Sequence, residues 1–142
     1  MKLEVYENFG KYFGYLSRKG RSFIAKELEK YGIGAGQTIF LITLYEKDGI
    51  NQEQLAEELF MDKTTVARGL QKLEQKGIIK RVSSSDDKRS KLVFLTEKGR
   101  ELESEVKKVL KTWDEKISHS LDDNEIEYLQ KILKKIYDSS LM

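Results

Sequence analysis

A dense group of side chains able to make directed polar contacts lies between residues 62 and 91. In "DKTTVARGLQKLEQKG" (62–77), Lys63, Thr64, Thr65, Arg68, Gln71 and Lys72 alternate with an apolar series, Val66, Leu70 and Leu73. Wound as a helix, the segment sets the two groups on opposite faces. Hydroxyl, amide and guanidinium groups gathered on one helix face suit phosphate oxygens and base edges. A second polar cluster follows in "SSSDDKRS" (83–90). Ser84 and Ser85 can hydrogen-bond phosphate oxygens, and Lys88 and Arg89 can reach a phosphate or a narrow minor groove. Asp87 would repel a polyanion if left alone, so it is expected to hold a neighbouring arginine, Arg89 or Arg81. From Asp62 to Lys91 nine Lys/Arg stand against four acids, a local balance of +5 in a chain of net +2, which leaves −3 for the rest. A basic patch on a near-neutral protein is the footprint of a polyanionic partner.

Other chemistries find little support. The single histidine, His119, is flanked by serines at an expected helix end, and a zinc site needs three or four converging ligands. The glycines of "YGIGAGQ" (31–37) do not follow a strand in the spacing of a phosphate-binding loop. The absence of cysteine removes disulfides, thiolate metal sites and thiol redox sensing. No enzyme activity, cofactor or metal is therefore expected. Hydrophobic residues at 39% can form a core, while 35% charged residues and no long apolar run argue against a membrane span. The start of the chain, "MKLEVYENFG", lacks the pattern of a secretory signal, so a cytoplasmic protein is expected.

The elements that must position these side chains can be read from periodicity and caps. Residues 3–30 read as a long helix with aromatic and apolar residues at three- and four-residue spacing, broken by "YGIGAGQ". A short buried helix follows over 37–49, with Gly49 as its stop. Asn51 and Gln54 form a capping-box pair for the next helix, with Ile50 and Leu55 as its hydrophobic staple. After a turn at 60–62, Asp62 caps the polar-faced helix, which Gly77 closes. Two short helices joined in this way describe a helix-turn-helix. "IIKRV" (78–82) and "KLVFLT" (91–96) flank the serine-rich tip as a hairpin, the wing of a winged helix. Thr96 starts a helix running to about Ser118, and Asp122 or Asp123 caps a last one.

Gly69 is out of place midway along the polar-faced helix, at a cost of about 1 kcal/mol relative to Ala. Either the backbone approaches a neighbour closely there, or the cost is simply tolerated; tolerance is the expectation.

The architecture expected is mainly α with a small β wing: a winged helix-turn-helix over about 34–96, flanked by dimerisation helices in 1–33 and 97–142. The flanking helices carry apolar stripes with packed-helix spacing, which a second copy of the chain would cover. Phe9, Phe13, Val109, Trp113, Ile126, Leu129 and Leu133 are the expected dimer contacts. The first helix has a second reading, in which Tyr12 and Tyr15 with Arg18 or Arg21 hold an anionic effector where it meets the winged helix.

The wing and its preceding helix also carry a resemblance. "DDKRSKLVFLTEKG" (86–99), with Asp87-x-Arg89, Leu95-Thr96 and Gly99, is similar to the DxR…LT wing signature of the MarR family of transcription regulators. "TTVARGLQKLEQKGIIKR" (64–81) resembles that family's recognition helix and following strand. The resemblance implies a dimeric winged-helix protein on pseudo-palindromic double-stranded DNA, usually a repressor. Recognition helices would lie in the major groove, Arg89 in the minor groove with Asp87 as its brace, and Lys63, Thr64, Thr65 and Arg68 on bases or phosphates. Small aromatic anions release DNA from many members; others sense peroxide through cysteine or bind zinc. The rival reading is a winged helix used for protein–protein assembly. Such a module would not need Lys63, Arg68, Lys72, Lys88 and Arg89 on one side.

Overall fold

The computed structural model describes residues 8–85 and 89–140, so Asp87, Lys88 and the start of the expected 3–30 helix lie outside the described residues. The chain divides into two compact units, one ending at Leu110 and the other beginning at Lys111.

In the first unit, α1 (Phe9–Leu28) starts where the Asn8 side chain accepts the Lys11 amide, and a 3₁₀ turn (Glu29–Tyr31) follows it. Next come α2 (Thr38–Glu46), β1 (Ile50–Asn51), α3 (Gln52–Glu58), α4 (Lys63–Gln75), β2 (Ile79–Ser83) and β3 (Lys91–Leu95). Then α5 (Glu97–Glu101) leads into α6 (Glu103–Ile117), which runs on into the second unit. The strands form one antiparallel sheet in the order β1-β3-β2.

The expected helix-turn-helix and hairpin are all present. Asn51 caps α3, accepting the Glu53 and Gln54 amides at 2.9 and 3.4 Å, and Asp62 caps α4. Phe60, in the turn between them, is 77% exposed and holds a left-handed φ of 52°.

Three expectations about the elements need correction. Gly49 does not end α2; it takes a φ of 79° three residues later, and its N–H donates to Val93 O at 2.9 Å as the chain enters β1. That strand was not expected, because two residues carry no periodicity and its pairing partner lies some forty residues away. The single helix expected from Thr96 is interrupted at Leu102. There, the Gly99 carbonyl that an unbroken helix would offer to the Glu103 N–H accepts the Tyr45 hydroxyl at 2.8 Å.

The core of this unit extends beyond 34–96. Leu28 from α1, Ile33 and Val106 from α6 are as fully buried as Phe40, Leu44, Leu55, Leu70 and Val93. Val109, expected as a dimer contact, is partly buried against this core. Gly69 also sits against it. A Cβ there would collide with the ring of Phe40, itself 1% exposed, so the position is closely packed rather than tolerated.

The second unit continues α6 and then forms α7 (Asp123–Ser140), opened by a reciprocal cap. Asp122 accepts the Glu125 amide at 2.9 Å, and the Glu125 carboxylate accepts the Asp122 amide at 3.0 Å. No residue of α7 is buried.

Candidate nucleic-acid interface

Helix α4 presents its polar face because its apolar stripe is fixed. Val66, Leu70 and Leu73 are fully buried, which turns Lys63, Thr64, Arg68, Gln71 and Lys72 outward. The start of α4 is held by Asp62, whose carboxylate accepts both the Thr65 amide (2.8 Å) and the Thr65 hydroxyl (2.6 Å). These bonds, the hydroxyl's first, hold the Asp62 carboxyl below its ordinary value. Thr65 therefore donates its hydroxyl proton to the cap, and a phosphate contact through that donor does not fit this geometry.

The wing is registered Ile79↔Leu95, Lys80↔Phe94, Arg81↔Val93, Val82↔Leu92 and Ser83↔Lys91, and the Ser84 N–H closes it on Ser90 O at 2.8 Å. Between α4 and this hairpin lies a cleft of about 530 Å³. Lys63, Thr64, Arg68 and Gln71 line it from α4, Arg81, Arg89 and Lys91 from the wing, and Gln52 and Glu53 from α3. Among the described residues, five cations thus face one carboxylate of the lining. That carboxylate, Glu53, lies 3.7 Å from Lys63 with both side chains mostly exposed, a pairing too weak to withdraw Lys63 from an incoming anion.

Of the expected polar contacts, Lys63, Thr64, Arg68, Gln71 and Arg89 converge on this cleft. Lys72 is exposed on α4, and Ser84 and Ser85 sit at the strand end, outside the lining. Lys91 was missed as a site residue; the two-residue alternation of β3, which buries Val93 and Leu95, would have marked it as belonging to their face.

Arg81 has a partner that the sequence reading missed. It is held by Glu74 of α4, which receives the Arg81 backbone N–H at 3.2 Å and Nη2 at 2.9 Å, while Asp87, the brace expected for Arg81 or Arg89, lies outside the described residues. Gln52 Oε1 receives Nη1 at 3.3 Å. The Arg81 guanidinium pulls the Glu74 carboxyl below its ordinary value, chiefly through the side-chain hydrogen bond.

The family portion of the wing is architectural at its far end. Leu95 is core, while Thr96 Oγ1 accepts the Gly99 amide at 3.2 Å and can donate to Gly77 O or Ile78 O. A Cβ on Gly99 would strike the Ile78 carbonyl.

Known proteins match this arrangement. The family model described as MarR family matches residues 35–91. The HTH-type transcriptional regulator BilQ of Clostridium symbiosum (strain WAL-14163) is 34% identical over 114 residues, 80% of this chain and 79% of that protein. The chain belongs to the MarR family. Among solved MarR structures, a transcriptional regulator from Methanosarcina mazei Go1 is 44% identical with a TM-score of 0.91, covering 93% of this chain and 95% of that one. A putative MarR family regulator from Listeria monocytogenes, solved in complex with a 26mer DNA, is 28% identical with a TM-score of 0.86, covering 99% and 91%. The similarity to these MarR proteins spans the helix-turn-helix and wing that form the cleft.

Proposed function

We propose that this MarR-family regulator works as a homodimeric repressor, binding a pseudo-palindromic double-stranded operator with α4 in the major groove and the wing on the flanking minor groove. The observation that carries this reading is the cleft itself: Lys63, Arg68, Arg89 and Lys91 face it from two elements whose shapes suit adjacent grooves. The DNA complex of the Listeria relative supports it. Arg68 is placed to meet a guanine edge, while Arg89 at the wing senses groove width and phosphate.

The test is a titration of a duplex, selected from a random pool by the parent protein, and of a scrambled duplex, at several salt concentrations. Arg68→Ala should weaken the selected duplex by roughly 1–3 kcal/mol and the scrambled one much less. Arg89→Ala should weaken both and flatten the salt slope, with Asp87→Ala acting in the same direction but less strongly. Parent-like binding by both wing variants would remove the wing from the interface. A protein-assembly module, the rival reading, would show no steep salt dependence on DNA.

Release by a small aromatic anion is the further part of this reading. Tyr12 and Tyr15 are about half exposed on α1, with Arg18 on the same helix. Benzoate added to the protein–duplex complex checks it. No described helix is long and apolar enough to cross a membrane. A DNA-binding role supports a cytoplasmic location.

A further inference from the structure

Arg81 occupies an unexpected position for a cation. The two-residue alternation of β2 puts it on the same face as Ile79, opposite fully buried Val93, and its side chain is only 12% exposed. A charge at such a position must be paired, because desolvation without a partner is costly. Glu74 is equally out of place on local grounds. It lies in the last turn of α4, where the helix dipole disfavours an acid.

Each residue accounts for the other. β2 is an edge strand, and the Glu74 carboxylate takes the backbone N–H that the Arg81 position turns away from β3, using its second oxygen for the guanidinium. Gln52, the first residue of α3, takes another guanidinium nitrogen. Asn51, while capping α3, donates through its side chain to Ser90, next to Arg89. One wing strand is therefore tied to both helices of the helix-turn-helix, and the turn before the other strand is tied to the α3 cap.

We propose that Glu74 is a positioning residue for DNA recognition: acting through Arg81, and helped by Gln52, it fixes the wing relative to α4 and so sets the separation of Arg68 and Arg89. The inference rests on the DNA-binding reading above. Glu74 itself need not touch DNA. Groups that must reach two grooves at once lose affinity when the frame between them loosens, because ordering it becomes part of binding.

The charge effect of Glu74 runs the other way, which makes the idea testable. Removing a carboxylate beside a polyanion site should by itself tighten binding. Positioning predicts that Glu74→Gln, nearly isosteric and still folded, weakens the selected duplex about tenfold while leaving a scrambled duplex within about twofold. Arg81→Lys keeps the charge but loses the planar fork, and should act alike. The double variant should be no weaker than either single one, because both break the same link. Without DNA, amide exchange should quicken over residues 79–83 in Glu74→Gln and stay unchanged in α2.

A Glu74→Gln variant that binds the selected duplex as tightly as the parent, or tighter, overturns the proposal. So does weaker binding with unchanged exchange in β2, which would point to direct contact. A parent protein that selects no duplex sinks the DNA-binding reading and this inference with it, an outcome distinct from either.

Discussion

At the scale of single residues, local chemistry and packing often assign different tasks to the same side chain. Thr65 reads as a DNA donor from its place on the polar face, yet its hydroxyl closes the α4 cap on Asp62. Gly69 reads as a weak point in a helix, yet it lets α4 approach Phe40. Gly69→Ala therefore sets two effects against each other. Helix propensity favours the change by about 1 kcal/mol, while forcing a methyl into a packed ring typically costs roughly 1–3 kcal/mol. Because Phe40 is 1% exposed and the methyl would overlap its ring, overpacking should win, and the urea midpoint should fall. Adding Phe40→Leu should recover part of the loss relative to Phe40→Leu alone. A midpoint that rises in Gly69→Ala would show that the ring moves freely. The polar face of α4 was legible because three apolar residues fix which way it turns. The packing against Gly69 was not, because its partner lies 29 positions earlier and leaves no mark on the local pattern.

At the scale of elements, what could be read depended on how far each cause lies along the chain. The starts of α3 and α4 were legible because Asn51 and Asp62 act on amides two or three residues away. The wing strands were legible from two β-rich runs around a polar tip. The break between α5 and α6 was not, because the group that engages the Gly99 carbonyl beside it, Tyr45, lies 54 residues away. The same bond carries a pH dependence. Burial, and then the charge of Glu103, push the Tyr45 hydroxyl from 10.0 up to about 12. The folded state therefore favours the protonated phenol. Its contribution is fully present below pH 10.0, is lost progressively as pH rises, and is gone once pH passes about 12. Tyr45→Phe should cost about 1 kcal/mol at neutral pH, the net worth of one hydrogen bond. It should also show a shallower alkaline loss of stability than the parent. Denaturant curves at stepped pH values check both, and identical alkaline limbs would remove Tyr45 as the cause.

At the scale of the whole molecule, the question is what covers the apolar residues that each unit leaves in solvent. On α1, Phe9, Phe13 and Leu16 are 47–59% exposed. On α7, Leu129, Ile132, Leu133 and Ile136 are 41–53% exposed, and no residue of the helix is buried. Isolated exposed leucines are ordinary, but a repeating stripe along an entire capped helix marks an interaction surface. A second copy of the chain satisfies both this requirement and the geometry of an operator, since half-sites one helical turn apart, roughly 34 Å, call for two α4 helices in one particle. The protein should therefore sediment as a dimer at micromolar concentration, with a melting temperature that rises with concentration. Leu129→Asp should dissociate it, and because Leu129 is 41% exposed and outside the core cluster, the first unit should keep its fold. The decisive comparison is then on DNA. The variant should bind a duplex carrying one half-site as the parent does, but lose the extra affinity the parent gains from the full palindrome, because the second contact is no longer intramolecular. A parent protein that is a folded monomer under these conditions would overturn the dimer, and a Leu129→Asp variant that keeps the full palindromic gain would place its contact elsewhere than on α7.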